Sequence, residues 1–138
     1  MLRAIGVSAQ ANVRIQGLTG FLSGVVDADN GVNGCTPPFS LTSVGATSPA
    51  GGLVTITDAA NGVVTFDPPP GVTGNVTFQY TVTDTGCPLP AQTGIATATV
   101  NVAGPVIWFV DSTAPGGGNG TWTGTNAKAF QTLAQATA

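Results

Sequence analysis

Charged side chains are scarce in this 138-residue sequence, and two ionisable residue types are missing altogether. Only 7% of the residues are charged, there is no Glu and no His, and the formal net charge is −3. The few basic residues are spread along the chain and form no positive surface for a phosphate backbone, which argues against a nucleic-acid partner. Without His and Glu, general acid–base catalysis lacks its most frequent participants. The composition therefore favours a non-enzymatic protein.

Long apolar runs are also absent. The longest, Val106 to Val110, is far shorter than the roughly 20 residues that a membrane-spanning helix needs, so no membrane span is predicted. The N-terminus, Met1 to Val7, has no apolar core of a signal peptide, and we expect export to be encoded upstream or Met1 to be added or internal. The Thr- and Gly-rich, Lys-poor composition is typical of secreted surface proteins and predicts an extracellular location.

Period-two alternation is the main structural signal. From Asn75 to Asp84 every second residue is apolar, which is typical of an antiparallel strand with one face on a core. Similar runs predict an all-β sandwich of about seven strands in residues 1–104. Their predicted extents are Ala11–Gln16, Phe21–Val26, Phe39–Val44, Leu53–Thr57, Val63–Phe66, Asn75–Thr83 and Ile95–Val102.

Two local details are predicted within the sandwich. Asn61-Gly62 favours a type I′ hairpin, which needs positive φ at both central residues. On the last strand Ala96 and Ala98 are expected to face inward, where small side chains fit beside the large Phe78 and Tyr80.

A C-terminal extension, residues 105–138, follows a different pattern. Val106–Val110 is apolar on both faces and is predicted to be a strand covered on both sides. A Gly-rich loop (115–124) and a short helix (126–136) are predicted after it, and that helix is too short to be stable without docking. We expect this extension to dock on a neighbouring copy or domain. The residues of that assembly interface are Val106, Trp108, Val110, Phe130 and Leu133.

Two stretches resemble known families. Residues 61–68, N-G-V-V-T-F-D-P, and 78–84, F-Q-Y-T-V-T-D, resemble the bacterial cadherin-like, Ig-like tandem repeats of large surface proteins over about residues 5–104. Residues 106–136 are similar to the start of right-handed parallel β-helix domains. The first resemblance implies an Ig-like β-sandwich, a cell-surface location and a structural role. The second implies that a solenoid begins where this chain stops.

The Ig-like resemblance also implies a disulfide. In such a fold the third strand neighbours the sixth, which places Cys35 beside Cys87. The bridge would close a loop of about 53 residues and stabilise the fold by about 4 kcal/mol in the chain-entropy model. The alternative is two unrelated buried thiols.

Acidic loops offer one candidate metal site. Asp27, Asp29 and Asp84, with Asn30, would supply oxygen ligands to Ca²⁺ at one end of the sandwich. The alternative is that Asp27 and Asp29 form Asx turns in a solvated loop. Many of the cadherin-like repeats that this sequence resembles carry three or more acids in the loop that here holds Asp27 and Asp29. No other cofactor is predicted.

Two tryptophans and two sequons complete the candidate residues. Trp108 is expected in a core or interface, whereas Trp122, in the Gly-rich loop, is the candidate for stacking on a sugar ring. Asn75-Val76-Thr77 and Asn119-Gly120-Thr121 are candidate glycosylation sites at Asn75 and Asn119.

The resulting hypothesis is a non-enzymatic extracellular structural module, a spacer or building block of a bacterial surface protein, adhesin or self-assembling filament. Its expected partner is another copy or a tandem neighbour. Two alternatives stay open: a glycan-binding module, and an accessory domain that precedes a β-helix enzyme acting on polysaccharide. A viral or phage fibre is a further alternative without a specific signal.

Overall fold

The computed structural model describes residues 5–26, 38–86 and 90–138, and within them the chain forms seven strands and two very short helices. The strands are listed here in chain order: β1 Ile5–Gln10, β2 Ile15–Leu18, β3 Phe39–Val44, β4 Leu53–Asp58, β5 Val63–Asp67, β6 Gly74–Asp84 and β7 Thr93–Ala103. A 3-10 helix, Asn126–Lys128, and a one-turn α-helix, α1 (Leu133–Ala136), lie in the C-terminal extension. Within the described residues, no helix is long and apolar enough to span a bilayer.

The strands form two sheets that face each other. One sheet has the order β1-β7-β6-β3 and the other the order β2-β5-β4. All pairs are antiparallel except β1 with β7, which run parallel. This confirms the sandwich that the alternation pattern predicts and the Ig-like arrangement, with the third strand beside the sixth, that the family resemblance implies.

The core lies between the sheets and is built by the dry faces of β5, β6 and β7. Phe78 is paired in register with Ala98, and Tyr80 with Ala96, so each large ring has a small neighbour, as predicted. Phe21 packs edge-on against Tyr80 with ring centroids 5.1 Å apart. The buried apolar and aromatic residues of these strands are Val64, Phe66, Val76, Phe78, Tyr80, Val82, Ala98, Val100 and Val102.

The first two strands differ from their predicted extents. The run Ala11–Gln16 is interrupted because Asn12 adopts a left-handed backbone with φ of 63°, so β1 ends before it and β2 begins after it in the other sheet. The run Phe21–Val26 is a turn and irregular chain that buries the Phe21 ring. Apolar residues alternate in both runs, and the alternation alone does not reveal a change of sheet.

The β4–β5 hairpin forms where predicted, with a different turn. Ala59 to Gly62 make a four-residue connection in which the Gly62 N–H donates to the Ala59 carbonyl. Gly62 has φ of 62°, but Asn61 does not have a positive φ, so the type I′ prediction is wrong. The turn is stabilised instead by the carboxylate of Asp58, which accepts hydrogen bonds from both the backbone N–H and the side-chain amide of Asn61.

The C-terminal extension also departs from its predicted elements. Residues 106–110 form no strand, and only Val110 makes an isolated bridge, parallel to Phe130. The predicted helix 126–136 is divided into the 3-10 helix and α1, because Ala129 and Thr132 between them have extended backbone. Thr132 then caps α1 through a capping box with Gln135.

The predicted disulfide and most of the predicted metal loop lie outside the described residues. Cys35 and Cys87 both fall in ranges that are not described, so their pairing stays a prediction. Asp27, Asp29 and Asn30 also fall in a range that is not described.

Candidate functional site at the junction of the sandwich and the C-terminal extension

The C-terminal extension docks on its own sandwich, and Asn12 lies at the centre of the contact. The Asn12 side chain is fully buried; its amide donates to the Ile107 carbonyl at 2.8 Å, and its oxygen accepts from the Gly71 N–H at 2.7 Å. Its backbone carbonyl accepts a third bond, from the Trp122 N–H at 2.7 Å. One residue in the turn between β1 and β2 therefore joins three separate stretches of chain, two through its side chain and one through its backbone carbonyl.

Trp122 continues this contact as a short strand-like pairing. It bridges Val13 in parallel, and its carbonyl accepts from the Arg14 N–H at 2.8 Å. The Arg14 guanidinium in turn donates two hydrogen bonds, of 2.6 and 2.7 Å, to the carboxylate of Asp67 at the end of β5. The hydrogen bond to Asp67 raises the pKa of Arg14. The ion pair fixes the turn against the three-stranded sheet.

Two aromatic pairs cover the junction. Trp108 packs on Phe130 with ring centroids 5.7 Å apart, and Phe109 packs on Trp122 at 5.5 Å. Trp108 also lies over Gly71, where an added Cβ would come within 3.1 Å of the indole. The consecutive residues Trp108 and Phe109 thus pack on two different parts of the extension, Phe130 and Trp122.

Backbone hydrogen bonds tie the extension together internally. The Lys128 carbonyl accepts from both the Asn119 and the Gly120 N–H, and Phe109 is bonded to Gly120 and Phe130. Gly120 has φ of 76°, and a Cβ there would meet the Phe130 ring at 2.4 Å. A glycine is therefore required at this position by backbone conformation and by space.

Asp111 stabilises the loop that follows. Its carboxylate accepts from the hydroxyl and N–H of Thr113 and from the Asn126 amide, at 2.7, 2.8 and 3.1 Å. These bonds, with the Thr113 hydroxyl contributing most, lower the pKa of Asp111. The carboxylate joins the start of the extension to its 3-10 helix.

The residues predicted as an assembly interface are divided between two roles. Val106 packs against the sandwich core, and Phe130 and Trp108 are engaged with each other. Val110 and Leu133 remain exposed, at 42% and 71% of their surface, together with Ile107, which the sequence prediction did not include. The backbone of residues 107–111 is largely hydrogen-bonded within the chain, and α1 buries no residue.

Asp84 is the candidate metal ligand that the structure describes, and its ligation of a metal stays a prediction. Asp84 is buried, and one of its carboxylate oxygens accepts from the N–H groups of Gly86 and Gln92 at 2.7 and 2.8 Å. It thereby joins the end of β6 to Gln92, just before β7. Over the described residues, no three acidic, His or Cys side chains group as metal ligands.

The two sequon asparagines take part in local hydrogen bonds. Asn75, exposed on β6, accepts from the Asn101 amide on β7 at 3.1 Å. Asn119 accepts from the Thr121 hydroxyl at 2.7 Å, and Thr121 is buried. Modification at either residue stays a prediction.

Asn12, Arg14 and Asp67 are the junction residues that sequence reasoning missed. Arg14 and Asp67 are 53 positions apart, and no local pattern relates them. For Asn12 a signal exists, because Asn tolerates the left-handed backbone better than most residues and stands here inside an apolar alternation.

The Asn12→Gly variant tests the junction. Glycine keeps the left-handed backbone and removes both side-chain hydrogen bonds, so we expect about 2 kcal/mol lower free energy of unfolding. In urea, tryptophan fluorescence reports on Trp108 and Trp122 in the extension, and circular dichroism reports on the sheets. The two transitions should coincide in the wild type, and the fluorescence transition should come first in the variant.

Two further variants control this experiment. Asn12→Ala adds backbone strain to the same loss and should be less stable than Asn12→Gly by about 1 kcal/mol. Asn101→Ala removes an exposed amide and should change stability by no more than about 0.5 kcal/mol. Equal stability of Asn12→Gly and the wild type would contradict the role of the Asn12 side chain.

Acid pH should weaken the extension through Asp111. Because folding lowers its pKa, Asp111 stabilises the fold above its unfolded-state pKa, and this contribution disappears as the pH falls through its folded-state pKa. Thr113→Val removes the hydroxyl donor and keeps the N–H. Carboxyl ¹³C NMR titration should show the pKa of Asp111 moving up in the variant, and an unchanged pKa would show that the hydroxyl is not its main cause.

Comparison with known proteins agrees with the architecture. The model of the bacterial Ig domain family matches residues 5–103. Among solved structures, the crystal structure of mouse cadherin-23 EC22-24 is similar, with 16% identity and a TM-score of 0.47. The alignment covers 80% of this chain and only 35% of the cadherin chain. No curated protein matches the sequence. Since the family model spans the whole sandwich, the chain belongs to the bacterial Ig domain family.

Proposed function

We propose that this chain is a non-enzymatic structural module of the bacterial cell surface: a spacer or building block of a surface protein, adhesin or self-assembling filament. Bacterial Ig domains occur in surface proteins and are typically non-catalytic, which supports a structural or adhesion-type role. The C-terminal extension then carries a neighbouring domain or copy in a fixed orientation.

The path of the chain through the sandwich carries this proposal. Because β1 and β7 run parallel, Ile5 is paired with Ala98 and Gln10 with Ala103, so the chain enters β1 at one end of the sheet and leaves β7 at the other. A spacer needs this end-to-end path. Force applied along the strands is shared by all the hydrogen bonds between β1 and β7 at once. The Asn12 contacts pass part of this force to Trp122 in the extension.

The surface chemistry supports the same role. The outer face of the four-stranded sheet carries no charged residue and is rich in hydroxyl and amide groups. Elsewhere in the described residues, the carboxylates of Asp58, Asp67, Asp84 and Asp111 each accept hydrogen bonds from within the chain. Ile107, Val110 and Leu133 offer exposed apolar surface to a neighbouring domain or copy.

Single-molecule force spectroscopy tests the spacer role. The chain is pulled from its two termini under reducing conditions, so that a disulfide does not reduce the measured increase in chain length. We expect one unfolding event of roughly 500 Å, because sandwich and extension resist force together. In Asn12→Gly an earlier step of about 120 Å should appear as residues 105–138 detach.

Two results would contradict the spacer role: lengthening of the chain without a distinct unfolding event, or an early step of about 120 Å in the wild type. The location is tested on cells. Antibodies against the chain should label intact bacteria that produce it, and labelling only after lysis would contradict a surface role.

A further inference from the structure

The four edge strands of the two sheets differ in how well they are protected from pairing with another chain. Unpaired edges invite association, and proteins protect them with short length, bulges, charges or covering segments. β2 has four residues with a register shift, and β4 has a register shift and ends at Asp58. β3 also has a register shift, and its Leu41 N–H donates to the Ala59 carbonyl of the neighbouring turn.

β1 has none of these features. It is six residues long, pairs with β7 in unbroken register and contains no charge and no proline. Gly6 and Ser8 are exposed, and an added Cβ on Gly6 would have no neighbour within 4 Å. Neither the size nor the charge of the β1 residues therefore hinders the approach of another strand to this edge.

The direction of the free hydrogen-bonding groups follows from the register. The Ala11 N–H donates to the Ala103 carbonyl, so the odd-numbered residues of β1 direct their backbone groups toward β7. The N–H and C=O of Gly6, Ser8 and Gln10 consequently point to the open edge. The Gln10 carbonyl also accepts from the Val13 N–H, while its own N–H remains available.

We propose that β1 pairs with β1 of a second copy of this chain, antiparallel and about a two-fold axis through Ser8. Ser8 then exchanges both backbone hydrogen bonds with its counterpart, and the Gln10 N–H donates to the Gly6 carbonyl of the other copy. This pairing joins the two four-stranded sheets into one continuous sheet. It goes beyond the spacer role, which holds with or without it.

A second copy is the occupant that this edge fits best. A two-fold axis brings the same strand of both copies together, so that a charged edge would face an edge of the same charge and be repelled. Here the facing pairs on the outer surface are Ser8 with Ser8 and Gly6 with Gln10, which are small or neutral. On the core side, half-buried Val7 would lie beside Ala9 of the other copy and bury more of its surface.

Sedimentation equilibrium of the purified chain tests the proposal directly. We expect a concentration-dependent dimer. Ser8→Lys sets two ammonium groups opposite each other and should weaken dimerisation by roughly fivefold or more. Ser8→Pro removes the central N–H donors and should abolish it, while an edge strand tolerates the proline.

Matched variants on the central strand β6 give the controls. Gln79→Lys adds the same charge to the same sheet face and should leave the dimer unchanged. Ser8→Cys should form an intermolecular disulfide under mild oxidation, because Cα atoms of a hydrogen-bonded pair lie about 5.5 Å apart. Gln79→Cys should not.

Two results would overturn the inference: a chain that stays monomeric at about 1 mM, or a dimer that both Ser8→Lys and Ser8→Pro leave intact. Neither result affects the force measurement, so failure of this pairing and failure of the spacer role are distinguishable.

Discussion

The hydrogen bonding of Asn12 is the constraint on which the arrangement of this molecule depends. The residue is fully buried in a left-handed conformation, and its three bonds reach Gly71, Ile107 and Trp122. Its backbone conformation moves the chain from one sheet to the other. Its side chain and carbonyl hold the C-terminal extension against the end of the sandwich. One residue thus determines both the topology of the first strands and the position of the last residues.

The extension has little core of its own. Its buried residues are small or polar, namely Ala114, Gly120, Thr121 and Ala129, and its large apolar side chains stay partly exposed. Two aromatic pairs and a set of backbone hydrogen bonds replace a core. Such a segment is marginal alone and depends on the sandwich for order, because few residues bury apolar surface. The extension docks at the end of the sheets, and its hydrogen bonds to the sandwich do not involve the outward-facing backbone of β1.

The sequence was sufficient for the sandwich because its strands are long and alternate regularly. β6 and β7 show unbroken period-two patterns, and the observed register places small residues beside large ones as expected. The early strands were misplaced because Ala11, Val13 and Ile15 continue an apolar alternation through the turn at Asn12. Alternation describes which face is dry, and it does not show which sheet a strand joins.

The candidate site could be predicted only in part. The aromatic residues of the extension were recognised as an interface, since a doubly apolar segment must be covered. Their partner was expected to be a neighbour, because the sandwich offers no apolar patch in its sequence pattern to receive them. The structure instead uses polar groups, a buried amide and the Arg14–Asp67 ion pair, which join positions far apart in sequence. Such contacts leave no periodic signal in a single chain.

Amide hydrogen exchange measures most directly whether the sandwich and the extension are one folded unit. The N–H groups of Trp122 and Phe130 are bonded to Asn12 and Phe109, and they lie outside the regular strands. If the account is correct, both exchange about as slowly as the amides of β6 and β7, through opening of the whole fold. Exchange of both within seconds, while β6 and β7 stay protected, would show that the extension is not held by the junction.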